Sequence, residues 1–225
     1  MFEGFTEKTI DFLWSIRFNN ERSWFRAHRE EYGNLLERPM RELAREVYSA
    51  VNEAHADLEL ELHISRIYRD ARRLHGRGPY KDHLWFSLRR QSELWTDKPV
   101  FWFEIAPEAW SYGMGYYSAR ALTMAKLRAR IDKSPAALKE LAERLDGQAE
   151  FILEGNEYSR PKCNPEMPLA EWYNKKNFSI IHEEEVGKAL FAHDLARRLI
   201  SGFEFLIPFY RYFIMLDGDP DPRPQ

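Results

Sequence analysis

The central third of the chain contains three segments rich in aromatic and β-branched residues: HLWFSLRR (residues 83–90), PVFWFEIA (99–106) and AWSYGMGYY (109–117). Segments of this composition, bounded by turn-forming residues, are typical of β-strands. The connections between them are too short for helical crossovers, so we predict consecutive antiparallel strands. A fourth strand is predicted before them at LHISRIYR (62–69), although its alternation of apolar and polar residues is less regular.

Helical patterns lie on both sides of these strands. They cover residues 6–20, 21–32 and 34–55 before the strands, and 118–133, 134–147 and 186–216 after them. We expect Pro39 to mark a first turn or a kink, and the last helical region to be interrupted near Gly202 and Pro208. Short strands are predicted at residues 149–155 and 178–184. The order of helices, strands and helices predicts an α+β fold, an antiparallel sheet meander packed by N-terminal and C-terminal helices.

Composition and charge set the wider expectations. The chain has 225 residues, of which 44% are hydrophobic, so we expect one domain over residues 1–216 and a disordered tail over 217–225. The single cysteine, Cys163, excludes an intrachain disulfide, and no signal peptide is recognisable, so a cytoplasmic location is expected. No apolar run approaches the roughly 20 residues that span a bilayer, so no membrane contact is expected. Residues 203–216, the most apolar stretch, are expected to close the core or to form a homodimer surface.

One segment departs from the charge of the whole. The net charge is −3, but residues 66–90 contain eight Lys and Arg and only two Asp, a local charge of +6, which leaves −9 for the rest. Attraction for an anion would therefore be local. We call residues 66–90 the arginine-rich segment. Its cations are mainly arginines, whose planar fork pairs bidentately with phosphate or carboxylate.

The arginine-rich segment predicts an anion site where a strand meets a loop. The candidate ligand-binding residues are Arg66, Arg69, Asp70, Arg72, Tyr80 and Lys81. Asp70 would orient an arginine, and Gly76 and Gly78 would let backbone N–H groups approach the anion. Alternatively, the segment is a solvated loop in which Asp70 and Asp82 form ion pairs with neighbouring arginines.

The same residues resemble a known family. Arg66-Ile67-Tyr68-Arg69-Asp70-Ala71-Arg72 followed by Pro79-Tyr80-Lys81 is similar to the R-I-x-R-D-x-R-F-S-K-D-K-x-P-Y-K hallmark of domain of unknown function 2461. Residues 2–5, the run NNERSWF (19–25) and GMGYY (113–117) also resemble parts of that family, so the resemblance spans most of the chain. It implies signature positions without a catalytic role. At residues 73–77 this chain has RLHGR where the family typically has FSKDK.

Other chemistry has weaker signals. No metal site and no cofactor are expected, because the seven histidines form no close pair with metal-ligand spacing and no CxxC is present. The run HEEE (182–185) is better explained as a charged helix start. Glu104 lies between Phe103 and Ile105 in a predicted strand and should face the opposite side of the sheet from them. It is a candidate proton-transfer group, as is Asp70, with Tyr80 or Lys81 stabilising developing charge.

Three functions remain open from the sequence. The first is binding of an anionic small molecule, such as a phosphate-bearing metabolite or nucleotide, by the arginine-rich segment. The second, less favoured, is nucleic-acid binding by the same face. A second basic cluster lies at residues 160–162 and 175–177, where it interleaves with Tyr158, Trp172 and Tyr173. This second cluster is more simply interpreted as a surface loop. The third is a structural or protein-interaction domain, in which the arginines form internal ion pairs.

Overall fold

A computed structural model describes residues 2–70, 72, 76 and 78–223 of the chain. Proximity of Cα atoms divides the chain into two compact units. The first unit contains residues 1–88, 102–112 and 183–202, and the second contains residues 89–101, 113–182 and 203–225. Several strands and the last long helix contribute residues to both units.

The elements follow the predicted order. The α-helices are α1 (Glu7–Phe18), α2 (Arg22–Ala27), α3 (Arg29–Tyr32), α4 (Arg38–Ala54), α5 (Ala121–Lys133), α6 (Ala136–Asp146), α7 (Ala170–Tyr173) and α8 (Leu195–Ile214). The strands are β1 (Glu61–Ile64), β2 (Leu84–Arg89), β3 (Pro99–Ile105), β4 (Ala109–Tyr116), β5 (Ile152–Glu154) and β6 (Ser179–Glu185). Short 3-10 turns cover Ala56–Leu58, Trp95–Asp97 and Met215–Gly218.

The strands form one six-stranded antiparallel sheet in the order β1-β2-β3-β4-β6-β5. The first four strands are neighbours in sequence order, which confirms the predicted meander and the α+β class. Strand β5 pairs antiparallel with β6, and Leu153 lies opposite Ile180. The predicted strand at residues 62–69 is shorter than expected, because regular pairing ends at Ile64.

The first unit has a core of helix and sheet residues. Leu43, Val47 and Val51 of α4 are fully buried, as the 3.6-residue spacing predicts. On the sheet, Phe86 and Phe103 are fully buried, and their ring centroids lie 5.6 Å apart. A π-helical turn over Gly33–Glu37 leads directly into α4, and Pro39 lies in the first turn of α4. Proline cannot donate to the carbonyl four residues earlier, and that carbonyl, of Leu35, accepts a hydrogen bond of 3.0 Å from the Thr9 hydroxyl.

The second unit is built around aromatic residues. Phe101 of β3 packs against Phe203 and Tyr210 of α8, with centroid distances of 5.1 and 4.9 Å. The interruption predicted in this region is wrong, because α8 runs unbroken through Gly202 and Pro208. Burial of Phe209 and Phe213 in the following turns opposes the helix-breaking effect of proline.

The end of α8 is attached to the second unit. Asp217, in the segment predicted as a tail, forms an ion pair with Lys98, and Asp219 accepts hydrogen bonds of 2.7 and 2.6 Å from Arg130. These contacts place the beginning of that segment on the surface of the unit.

Residues Leu195–Gly218 meet the length and composition of a membrane-spanning helix, with a mean hydropathy of 1.4. The sequence-based expectation considered only residues 203–216, which are too few to span a bilayer. Half of the apolar window within these residues is buried inside the protein. The expected helix start at HEEE is also wrong: His182, Glu183, Glu184 and Glu185 are the last residues of β6.

Gly115→Ala is expected to destabilise the protein. A Cβ on Gly115 would lie 2.5 Å from the carbonyl oxygen of Phe178 and 2.6 Å from the Cα of Ser179. Backbone atoms of a paired strand cannot move aside as a flexible side chain can, so we expect a loss of about 1–3 kcal/mol in the free energy of unfolding. Chemical denaturation measures this change.

Gly33→Ala is the matched control. No described atom outside its own helical turn lies within 4 Å of a Cβ added at Gly33, whose φ of −60° suits any residue. We expect a slight stabilisation of less than about 1 kcal/mol, because alanine has the higher helix propensity. Equal destabilisation by both substitutions would contradict a specific close approach at Gly115.

Candidate functional site

The arginine-rich segment begins as an extension of the β1–β2 pairing. Tyr68 and Tyr80 form an isolated antiparallel bridge beyond the ends of the two strands. The backbone N–H of Arg69 donates to the carbonyl of Pro79 (2.8 Å), and the N–H of Lys81 donates to the carbonyl of Ile67 (2.7 Å). These bonds join residues 67–69 to residues 79–81 and fix the backbone positions from which Arg69 and Tyr80 project.

A side chain from the N-terminal helices holds this base in place. The amide of Asn20 donates to the carbonyl of Tyr80 and accepts from its N–H, both at 2.9 Å. Gly78 lies against the same amide, since a Cβ added there would be 2.2 Å from Asn20 Oδ1. Asn20 precedes α2, so this contact brings α2 and α3 beside the arginine-rich segment.

The space between these elements is a basic cleft of about 550 Å³. Its lining residues, which define the term basic cleft below, are Arg22, Phe25, Arg26, Arg29, Tyr68, Arg69, Pro79 and Tyr80. Arg22, Arg26 and Arg29 are spaced four and three residues apart, so they share one side of the helical segment. Four guanidinium groups therefore surround one opening.

Aromatic rings form the wall of the basic cleft. The buried rings of Phe25 and Tyr80 are stacked with centroids 4.1 Å apart and planes at 21°. Tyr68 packs against both rings but is 49% exposed. Its hydroxyl accepts a hydrogen bond of 3.0 Å from Arg29 Nη1. The wall thus places the partly exposed ring of Tyr68 beside the arginines of the basic cleft.

The positive charge of the basic cleft is not neutralised by acids in its lining. None of the described lining residues is acidic, and among the described residues neither Arg22 nor Arg26 has an ion-pair partner. Burial raises the pKa of Tyr80, and the nearby Arg22, Arg26 and Arg29 act in the opposite direction. All three arginines thus act to lower the pKa of the same hydroxyl, that of Tyr80.

Arg69 differs from the other three because it forms an ion pair with a described carboxylate. Its Nε donates to the carbonyl of Tyr80 (2.7 Å), and its Nη2 pairs with Asp82 at 3.2 Å. Asp82 also accepts a hydrogen bond of 2.6 Å from Arg17 Nε. Burial acts to raise the pKa of Asp82, but the hydrogen bond from Arg17 and its charge lower it overall. Arg69 is therefore held in a fixed orientation at the edge of the cleft.

Lys81 belongs to a second group of charges, which we call the Glu104 cluster: Lys81, Asp82, His83 and Glu104. Burial lowers the pKa of Lys81 and raises that of Glu104, while each acts on the other as an opposite charge. Glu104 alternates with the fully buried Phe103 and Ile105 on β3, as the strand pattern predicts. Buried titratable groups with opposed shifts are a feature of proton-transfer sites and also of structural ion pairs.

The structure separates the six predicted site residues. Arg69 and Tyr80 line the basic cleft, and Lys81 lies in the Glu104 cluster. Arg66 lines a neighbouring cavity of about 210 Å³. Arg72 is 88% exposed and donates to Asp70 at 2.9 Å, the neighbouring pairing that the alternative interpretation expected. Arg73, His75 and Arg77 of the predicted loop lie outside the described residues.

Sequence reasoning missed Arg22, Arg26 and Arg29. Their spacing in ERSWFRAHREEY (21–32) is a visible signal, but the local excess of arginine was counted only over residues 66–90. Phe25 is buried, and the three arginines beside it line the same opening as Tyr68, Arg69 and Tyr80, which follow more than 35 positions later.

Comparison with known proteins gives a family match. A family model described as conserved hypothetical protein (DUF2461) matches residues 8–212. A search of curated proteins found no match.

Glu104→Gln is expected to stabilise the protein at neutral pH. The pKa of Glu104 is raised above its ordinary value of 4.5, so the folded state binds this proton more tightly than the unfolded state does. The stability that Glu104 contributes is therefore present below the unfolded pKa and is lost as pH rises through the window up to the raised pKa. Glutamine does not ionise, so the variant avoids this loss of stability. Each kcal/mol of unfolding free energy regained raises the Tm of a chain this size by about 2–4 °C.

Glu108→Gln is the control with the opposite sign. Glu108 forms an ion pair with Arg17, and the hydrogen bond from Arg17 lowers its pKa. The stability that Glu108 contributes is present above its unfolded pKa and is lost as pH falls. Removing the carboxylate is therefore expected to lower the free energy of unfolding by about 0.2–1 kcal/mol at neutral pH. Melting curves between pH 4 and 8 measure both variants. A Glu104→Gln protein that is less stable at pH 7 would show that Glu104 acts mainly as a partner of Lys81.

Proposed function

The chain belongs to the conserved hypothetical protein family DUF2461, and for this member we propose that it binds a phosphate-bearing small molecule in the basic cleft. The observation that carries the proposal is the set of four arginines around one opening whose described lining contains no acid. Guanidinium groups donate paired hydrogen bonds in a geometry that matches phosphate oxygens.

The size of the basic cleft favours a compact ligand. Its volume of about 550 Å³ is within the range of roughly 300–1,000 Å³ that is usual for small-molecule sites. Arg69 is held by Asp82 and by the carbonyl of Tyr80, so part of the site is arranged before a ligand arrives. A preorganised donor loses less conformational freedom on binding.

Local charge supports an anion in spite of the acidic chain. The net charge of the protein is −3, so a general attraction for anions is absent. The arginines of the basic cleft concentrate positive charge beside the low-dielectric wall of Phe25 and Tyr80, which strengthens their field. We further propose a cytoplasmic location, where phosphorylated metabolites are available.

The proposal concerns binding and assigns no reaction. Asp70 and Glu104, the carboxylates considered for proton transfer, are not among the described residues that line the basic cleft. Nucleic-acid binding is the second candidate for the same cations. A strand bound nonspecifically would follow a longer track of cations with several exposed rings, whereas these four arginines surround one opening.

Arg26→Ala is expected to weaken phosphate binding without unfolding the protein. Arg26 is exposed on α2 and has no ion-pair partner among the described residues, so its removal should change stability by less than about 0.5 kcal/mol. Loss of one charge-assisted contact should weaken affinity by about tenfold. Isothermal titration calorimetry with inorganic phosphate, nucleoside monophosphates and sugar phosphates measures the change.

Arg45→Ala is the matched control, because Arg45 is an exposed helical arginine that does not line the basic cleft. It should bind as the wild type does. Arg72→Ala tests separately whether Arg72 contributes to phosphate binding. Absence of saturable binding by every phosphate ligand, or equal weakening by Arg26→Ala and Arg45→Ala, would overturn the proposal. Binding only to long oligonucleotides, with log affinity falling steeply with log salt, would favour the nucleic-acid function.

A further inference from the structure

A second group of cations lies around Tyr158 in the second unit, and we call it the Tyr158 cluster. Lys162 Nζ is 4.8 Å from the centroid of the Tyr158 ring, Arg128 Cζ is 5.3 Å from it and Lys176 Nζ is 5.6 Å from it. The three cations lie over one ring that has only two faces, so at least two of them share a face. Like charges over one face of a ring repel each other, and an anion bound between them would offset that repulsion.

The backbone fixes the positions of this cluster. The N–H of Tyr158 donates to the carbonyl of Asn174 at 3.1 Å, and the N–H of Lys162 donates to Asn174 Oδ1 at 2.7 Å. The N–H of Lys176 donates to the carbonyl of Asn156 at 2.7 Å. The loop that carries Tyr158 and Lys162 is thus joined to the segment that carries Lys176, while Arg128 comes from α5.

The charges of the Tyr158 cluster are not compensated within the described part of the chain. Arg128, Lys162 and Lys176 have no ion-pair partner among the described residues. The adjacent Lys175 differs, since it pairs with Glu157 at 3.2 Å and with Glu171 at 3.8 Å. Glu157 and Glu171 are thus paired with Lys175. Asp132, one turn from Arg128, accepts a hydrogen bond of 3.0 Å from the Tyr173 hydroxyl.

Arg128 gives independent evidence for a ligand. Its Nη1 is buried and has no hydrogen-bond partner among the described residues. A buried donor without a partner is costly, and a charged one more so. Buried donors in native proteins are nearly always paired, and an orphan often marks a bound ion or water. The orphan donor belongs to the same guanidinium that lies over Tyr158.

We propose that Arg128, Lys162 and Lys176 bind a small, multiply charged oxyanion of the phosphate class beside Tyr158. The guanidinium supplies directed N–H donors, and the two ammonium groups supply point charges that adapt to a tetrahedral anion. The convergence of three cations on one ring favours a single compact anion over an extended polyanion. This site lies wholly in the second unit, and the basic cleft lies wholly in the first.

The test is a titration followed by NMR signals from individual residues of the full-length wild-type protein. Inorganic phosphate, glycerol phosphate and acetate are added separately at constant ionic strength, while the Arg128 Nε–H and Tyr158 ring signals are observed. Saturable shifts with either phosphate compound, and none with acetate, are expected. A response to glycerol phosphate alone would assign a phosphomonoester, and a response to inorganic phosphate alone would assign the free ion. Signals from Arg26 report the basic cleft, so failure at one site is distinguished from failure at the other.

Lys162→Gln should weaken this binding by about tenfold. Lys162 is exposed, so the variant should fold as the wild type does. Arg160→Gln is the matched control, because Arg160 is an exposed cation in the same loop that does not lie over Tyr158. Absence of saturable shifts, or equal weakening by Lys162→Gln and Arg160→Gln, would overturn the proposal. Tighter binding of a short oligonucleotide than of either phosphate compound would also overturn it.

Discussion

The paired hydrogen bonds between the Asn20 side chain and the backbone of Tyr80 are the contact on which the candidate site depends. They join the N-terminal helices to the base of the arginine-rich segment through a donor and an acceptor on one amide. Gly78 completes the contact by leaving room for that amide. Because Arg22, Arg26 and Arg29 follow soon after Asn20, this contact, together with the stacking of Phe25 on Tyr80, sets their distance from Arg69 and Tyr80.

The arginines of the protein have different tasks according to their partners. Arg17 and Arg69 share Asp82 and stabilise the first unit, while Arg130 pairs with Asp219 and anchors the end of the chain in the second. Arg26 and Arg128 lack such partners among the described residues. A charged side chain that the fold leaves uncompensated is more available to a ligand than one already paired. In the basic cleft, Arg22 and Arg26 are of this kind, whereas the paired Arg69 contributes a fixed orientation.

Much of the fold was predictable because it depends on local patterns. The aromatic strands at residues 83–117 are separated by connections too short to allow anything but antiparallel pairing, so the meander followed from spacing alone. The apolar spacing of α4 likewise predicted Leu43, Val47 and Val51 as core residues. Pro208 misled the prediction because local propensity indicated a break, whereas the burial of Phe203 and Phe209 keeps α8 continuous.

The candidate site was predictable only in part, since its residues come from separate regions of the chain. Composition alone located a local excess of arginine, and the hallmark residues selected Arg69 and Tyr80 within it. Local sequence offered the ion pairs of Asp70 and Asp82 with neighbouring arginines only as an alternative, and it could not show that Arg26 would face the same opening as Arg69. The position of Arg26 depends on distances between residues far apart in the chain, which are established only when Asn20 meets Tyr80. Periodicity specifies which elements form, whereas the pairing of charges is a property of the folded packing.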